Sequence, residues 1–238
     1  MFLFLKLILA HLIADFILQF EEIYQLKVRS FLGQLLHVLI HGLVSLILLY
    51  PYLNKSSIWL FTAALVLIHL TQDLIKYHFT KKTPANTFVY FMTDQACHLG
   101  VLSAIFLLPV SREIRGFSCC TLIDSIYRND LWTLLAIFFI TLTFAGSYVL
   151  NAFSKSYLKD RSPLYLISSP EMAHAILERS LIAWIFFSSD SPWRFLVIPC
   201  AGLLRIPFKL LRERMAFLLS LIYALLVSMF FQRIFRIL

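Results

Sequence analysis

Charge is what this sequence has least of. Only 14% of its 238 residues are Asp, Glu, Lys or Arg, 60% are hydrophobic, and the mean hydropathy is +0.82. An ordinary soluble domain carries about 25% charged residues, so these figures point to a membrane protein. Glycine is scarce as well, at six residues. There is no glycine-rich phosphate loop, no GxSxG elbow and no HExxH helix, which removes three common signatures of nucleotide-binding and hydrolytic sites. The four cysteines lack CxxC spacing: Cys97 and Cys200 lie in apolar runs, and Cys119 and Cys120 are adjacent in a polar connection. No disulfide framework is indicated. The net charge of +8 is scattered between apolar runs, not gathered into a basic, aromatic-interleaved stripe, and this argues against nucleic acid as a partner.

What the chain does have is length of apolar sequence. Runs able to cross roughly 30 Å of hydrocarbon as helices occur at about 1–19, 31–52, 57–79, 87–109, 131–152 and 214–238. Two shorter runs, 173–188 and 193–208, read as tilted spans or as a re-entrant pair around Ser188–Pro192, and prolines 163, 170, 192, 199 and 207 interrupt this half. The expected fold is all-α: a polytopic transmembrane helical bundle of about eight spans, or six plus a re-entrant hairpin. Residues 1–109 would form a four-helix transmembrane core, 110–130 an extramembrane connection with a short amphipathic segment, and 131–238 the C-terminal transmembrane helices. The first run has no basic stretch ahead of it and no small-residue cleavage site behind it, so it reads as a retained helix. Tyr50, Tyr52, Trp59, Trp132 and Trp193 fall near run ends, where aromatic anchors sit.

With eight spans, one side of the membrane receives Lys27, Arg29, Lys76, Lys81, Lys82, Lys155, Lys159, Arg161, Arg205, Lys209, Arg212 and Arg214. The other receives Lys55, Arg112, Arg115, Arg128, Arg194, Arg233 and Arg236. The excess of basic residues marks the first side as cytoplasmic and places both termini outside.

Against this apolar background, ionisable residues recur in a pattern. His11 and Asp15 lie in the first run, His37 and His41 in the second, His69 and Asp73 in the third, Asp94 and His98 in the fourth. Each pair is spaced i,i+4 and so projects from one face of its helix. Consecutive spans run in opposite directions, and the pairs fall late in runs one and three but early in two and four. At 1.5 Å per residue all four pairs then sit at one level, near the cytoplasmic ends. Five imidazoles and three carboxylates at one depth suit a divalent metal, zinc first, with manganese or iron as alternatives, and one or two ions. Ionisable groups in the bilayer are functional-site candidates by default. Gln19, Gln72, Gln95 and Lys76 lie beside the pairs and are candidates for orienting the ligands. The bland alternative is hydrogen bonding across helices, or a proton relay. His78, next to Lys81 and Lys82, reads as interfacial. His174 and Glu178 form another i,i+4 pair, with Arg179 beside them, and an internal Glu–Arg ion pair is the simpler reading there.

At these residues the chain resembles a family of small bacterial integral membrane proteins filed as a domain of unknown function. The resemblance rests on HLIADFILQ (11–19), HVLIHG (37–42), HLTQDLIK (69–76) and DQACHL (94–99), with LER at 177–179 and LLSLIYALLV at 218–227. AGLLRIPF at 201–208 departs from the family pattern, which has a small-residue segment with a lysine and an arginine there. The family implies a fold, a site and a place in a bacterial inner membrane, but no reaction. Through its HxxxH and HxxxD pairs the chain is more loosely similar to membrane-bound metal-dependent hydrolases.

Three functions are compatible with these residues. The first is a metal-dependent hydrolase acting on a membrane lipid or lipid-linked substrate, with one of Asp15, Asp73 and Asp94 as general base. The second is a transporter of divalent metal or protons, and the third a non-catalytic sensor or effector with a structural metal. The outer halves of the runs, such as LVSLILLY at 43–50 and VLSAIFLLP at 101–109, offer little of the polar path a transporter needs.

Overall fold

Backbone groups in hydrocarbon have no water to bond, so apolar runs of this length must close their hydrogen bonds internally, and helices do so. The computed structural model describes residues 1–83, 86–117, 120–157, 170–188 and 212–237, and every regular element among them is helical. The elements are α1 (Phe2–Leu12), continued by a π-helical turn (Ile13–Ile17), then α2 (Glu21–Arg29), α3 (Phe31–Leu48), α4 (Ser56–Lys82) and α5 (Thr87–Ser103). After short 3-10 turns come α6 (Thr121–Arg128), α7 (Asp130–Ile140), a second π turn (Thr141–Ala145), α8 (Gly146–Tyr157), α9 (Pro170–Ser188) and α10 (Arg212–Ile237).

Four of the described helices are long and apolar enough to cross a membrane: α3, α4, the continuous 130–157 rod and Leu218–Ile237 of α10. A fifth is reached if α1 and α2, which meet at an 89° bend, count as one broken span. The first run therefore does not simply end at residue 19 but turns a corner. A second corner follows, between α2 and α3, and it is built locally. Ser30 caps α3 by accepting the Gly33 N–H at 3.0 Å, and its hydroxyl donates to the Leu26 carbonyl at 3.1 Å. A Cβ on Gly33 would overlap the backbone of Leu26 and Lys27, so only glycine lets α2 fold back this tightly onto α3. The run 193–208 and its loop lie outside the described residues, as do Cys119 and Cys200.

α1 and α4 each pack on both α3 and α5, giving a four-helix group, while α1 also packs on α7 and α5 on α8. On α4 only Ile58, Thr62, His69 and Asp73 are buried, a single stripe on a 27-residue helix. Its other face carries exposed Trp59, Leu60, Leu67, Ile68 and Ile75, with Leu60 at 72%. A stripe that is polar inside and apolar outside reverses the soluble pattern and fits a lipid-facing helix. The opposite end of the group is closed by an apolar cluster of Phe2, Leu3, Leu7, Leu49, Tyr52, Ile58, Leu102, Ile105, Val110 and Tyr127. The connection after α5 is pinned over it: the Tyr52 hydroxyl donates to the Glu113 carbonyl at 2.9 Å and accepts the Arg115 N–H at 2.7 Å. The Tyr127 hydroxyl reaches the Leu48 carbonyl at 2.7 Å. Lys6, buried in α1, donates to the Tyr127 carbonyl at 2.6 Å and to the Thr133 hydroxyl, which explains a lysine inside the first apolar run.

Candidate metal centre

The four i,i+4 pairs meet. His11, Asp15, His37, His41, His69, Asp73, Asp94 and His98 are all buried and form one cluster between α1, α3, α4 and α5. The helix ends explain how. The π turn after Leu12 widens the backbone where Asp15 enters the bundle, a local distortion frequent at functional sites. Asp15 is the hub: its Oδ1 lies 2.9 Å from His41 Nε2 and 3.1 Å from His37 Nε2, and its Oδ2 lies 3.5 Å from His11 Nε2. Asp73 Oδ2 stands 3.4 Å from His69 Nε2 and 3.7 Å from His37 Nε2. Asp94 Oδ1 is 3.3 Å from His98 Nε2. The imidazoles themselves are crowded, with ring centres 4.0 Å apart for His41 and His69 and 4.1 Å for His69 and His98.

His41 hydrogen-bonds Asp15, but much of this proximity is not hydrogen bonding. His37 Nδ1 and Nε2, His69 Nε2, His98 Nε2 and Asp94 Oδ1 are buried atoms without a hydrogen-bond partner, while Asp73 Oδ2 is met by the Lys27 ammonium. Buried polar atoms normally find partners, and leaving one unmatched costs about 1–3 kcal/mol. Unpaired imidazole and carboxylate atoms this close together form a donor set suited to a cation. Two sets of ligand atoms are compact enough to hold a metal, with all atoms within 4.8 Å of one another: Asp15, His37, His41 and His69, and His69, Asp73 and His98. The donor chemistry, imidazole nitrogen with carboxylate oxygen, fits a borderline divalent ion.

Around this set lie the groups that orient it. Gln95 donates to Asp15 Oδ2 at 3.2 Å and to Asp94 Oδ2 at 3.3 Å, and its Oε1 is 3.1 Å from His11 Nε2. Lys76 holds Asp94 Oδ2 at 2.6 Å and lies 3.9 Å from Asp73 Oδ1. Gln72 lines a cavity beside the cluster, and Gln19 falls in the bend between the π turn and α2. His78 is exposed against Phe79, in keeping with an interfacial residue. The sequence reading missed Lys27, whose Nζ lies 2.9 Å from Asp73 Oδ2. The signal was there in EEIYQLKVR, a polar stretch too short to span and placed directly after the first apolar run. Without the 89° bend, nothing in it pointed back at α4.

The cavity has about 20 Å³ of room for water-sized molecules, enough for a single ordered water. It lies against the imidazoles of His11, His41, His69 and His98, and its remaining wall is Gly42, Ser45, Leu65, Val66, Gln72, Val101 and Leu102. On the far side, in the C-terminal half, Glu178 and Arg179 are fully buried; Arg179 donates to the Ala175 carbonyl at 3.0 Å and to the Ser147 hydroxyl.

Fold and site together define a class: an all-helical protein with membrane-compatible apolar helices around a buried His/Asp cluster able to hold a metal ion. Residues 3–118 match the model of a family described as "Protein of unknown function (DUF3307)". That stretch contains all eight cluster residues and Lys27, while the LER and LLSLIYALLV segments lie beyond it. No curated protein and no solved structure matches the chain.

Proposed function

We propose that the protein is a multi-pass inner-membrane metalloenzyme that hydrolyses a lipid or a lipid-linked ester, amide or phosphate from the cytoplasmic side of the bilayer. The observation that carries this reading is the cavity: it opens a water-sized space against four imidazoles, beside buried ligand atoms that lack partners, and its outer wall is apolar. A purely structural metal calls for a closed site, whereas a catalytic one keeps a position open. The ion, zinc first and manganese or iron next, would be held within the set Asp15, His37, His41 and His69, three of which suffice as ligands and would leave a position for water. Once bound, it would supply Lewis-acid polarisation of the scissile carbonyl or phosphoryl oxygen. Asp73 and Asp94, steered by Lys27, Lys76 and Gln95, are the carboxylates left to accept a proton from water, and Asp15 takes that part if the ion sits with His69, Asp73 and His98. The apolar walls at Leu65, Val66, Val101 and Leu102 favour an acyl or polyprenyl substrate entering from lipid. The basic residues of the α1–α3 and α4–α5 connections support a cytoplasmic position for this end, with both termini outside, and the eight-span count goes with that arrangement.

A transporter is the second reading, favoured by the two overlapping ligand sets that share His69. The apolar cluster from Phe2 to Tyr127 stands against it, because it caps the opposite end of the four-helix group. The test is turnover by zinc-loaded protein in mixed micelles on a panel of lipid esters, amides and phosphates, with His69→Ala as the inactive control. Metal-dependent cleavage lost in that variant supports the enzyme. Its absence across the panel, together with zinc uptake into proteoliposomes that His37→Ala abolishes, overturns it in favour of transport.

A further inference from the structure

Two lysines in the cluster are unusual, because a bundle built to gather cations has no evident reason to import its own. Lys27 and Lys76 have side chains only 14% and 28% exposed, and each closes on a carboxylate: Lys27 on Asp73, Lys76 on Asp94. The oxygen that Lys27 contacts, Asp73 Oδ2, is also the one nearest His69 Nε2. An ammonium group therefore stands against a ligand atom of the second set, His69, Asp73 and His98. The first set has no such neighbour: Asp15 is met by imidazoles and by Gln95.

The charges can be added. Three carboxylates and two ammonium groups sum to −1 with the imidazoles neutral. One divalent ion brings the buried cluster to +1, and two bring it to +3. In a low-dielectric interior, uncompensated charge is strongly unfavourable, far more for three charges than for one. Remove both lysines, and two divalent ions again give +1. Sharing of His69 adds a steric reason, since its Nε2 has one lone pair and can serve one ion.

We propose that the centre is mononuclear, and that Lys27 and Lys76 stand in for a second cation at a latent metal position formed by His69, Asp73 and His98 with Asp94 alongside. The ion occupies the Asp15, His37, His41 and His69 set, while the ammonium groups neutralise the other two carboxylates and keep them free of metal. This rests on the proposed metal centre and assigns its stoichiometry; it does not depend on which bond is cleaved. The position of α2 follows from it. The bend and the Gly33 corner return the chain so that Lys27 reaches a carboxylate on α4, two helices further along the sequence.

The experiment is a zinc titration of the full chain in detergent, with bound metal counted by mass spectrometry after desalting. Wild type should saturate at one zinc per chain, and Lys27→Met/Lys76→Met, which keeps most of each stem, should saturate at two. Lys76→Arg, which retains the charge, should stay at one. Two zinc ions in wild type, or a folded double variant that still stops at one, overturns the inference and leaves the metal centre standing. No zinc in any form takes the centre itself away. Should the double variant fail to fold, the wild-type stoichiometry and the effect of Lys27→Met alone, which frees the Asp73 oxygen of the second set, still decide: more than one zinc in wild type, or no gain above one in Lys27→Met, refutes it.

Discussion

Replacing Asp15 by alanine removes the anion at the middle of the cluster, and the structure sets how much that should cost. His41 Nε2 loses an acceptor at 2.9 Å, Gln95 Nε2 one at 3.2 Å, and His37 Nε2 a carboxylate at 3.1 Å, all inside the bundle. Each buried group left without a partner costs about 1–3 kcal/mol, and breaking a buried charged network by deleting one partner typically costs about 3–5 kcal/mol. The loss for Asp15→Ala should thus be about 3–5 kcal/mol, a large part of a total stability of about 5–15 kcal/mol. Asp15→Asn keeps an acceptor but turns charge-assisted bonds into neutral ones, so about 1–3 kcal/mol is expected. Equilibrium unfolding in mixed micelles, with chelator present so that metal contributes nothing, measures both. Leu39→Ala, at a 52%-exposed residue on the outer face of α3, is the control and should stay within about 0.5 kcal/mol of wild type. An Asp15→Ala variant as stable as this control would refute the reasoning that the carboxylate organises the cluster.

Gly33→Ala should destabilise by about 1–3 kcal/mol, since its Cβ meets backbone and cannot be accommodated by a rotamer change; limited proteolysis between α2 and α3 checks it. At the cavity wall, a Cβ on Gly42 would stand 2.8 Å from Val66 Cγ2. Gly42→Ala should therefore impair turnover and thermal stability together, and Gly42→Ala/Val66→Ala should recover much of both, which paired activity and melting measurements will show. Lys6→Met leaves the Tyr127 carbonyl without its 2.6 Å donor, at a cost of about 1–3 kcal/mol, while zinc binding at the other end of the bundle should be unchanged in the same titration.

The i,i+4 spacing and the alternation of span direction were enough to place eight side chains at one level, because both follow from helix geometry alone. The structure adds what periodicity cannot carry. An 89° bend separates α1 from α2, and a serine cap and one glycine's clearance then fold α2 back onto α3; the cap and the clearance act through backbone contacts that hydropathy does not register. Lys27 was invisible for the same reason: its partner Asp73 is 46 positions away and is reached only once the bend exists. The fourth run, expected over 87–109, is helical to Ser103 and then breaks into 3-10 turns that carry Tyr52's partners over the bundle end. Lys6 looked anomalous within an apolar run, and its two acceptors, one at the end of α6 and one on α7, account for it. The orienting role of Gln95 was legible from its position next to Asp94, but its contact with Asp15 on another helix was not.

The central claim is that four antiparallel helices bring imidazoles and carboxylates together to bind a divalent ion. Metal content of the purified wild type against His37→Ala/His41→Ala tests it most directly. The account predicts a stoichiometric transition metal in the former and its loss in the latter, with both proteins folded. Metal-free wild-type protein that takes up no zinc when offered it, or a double variant that retains its ion, would contradict it.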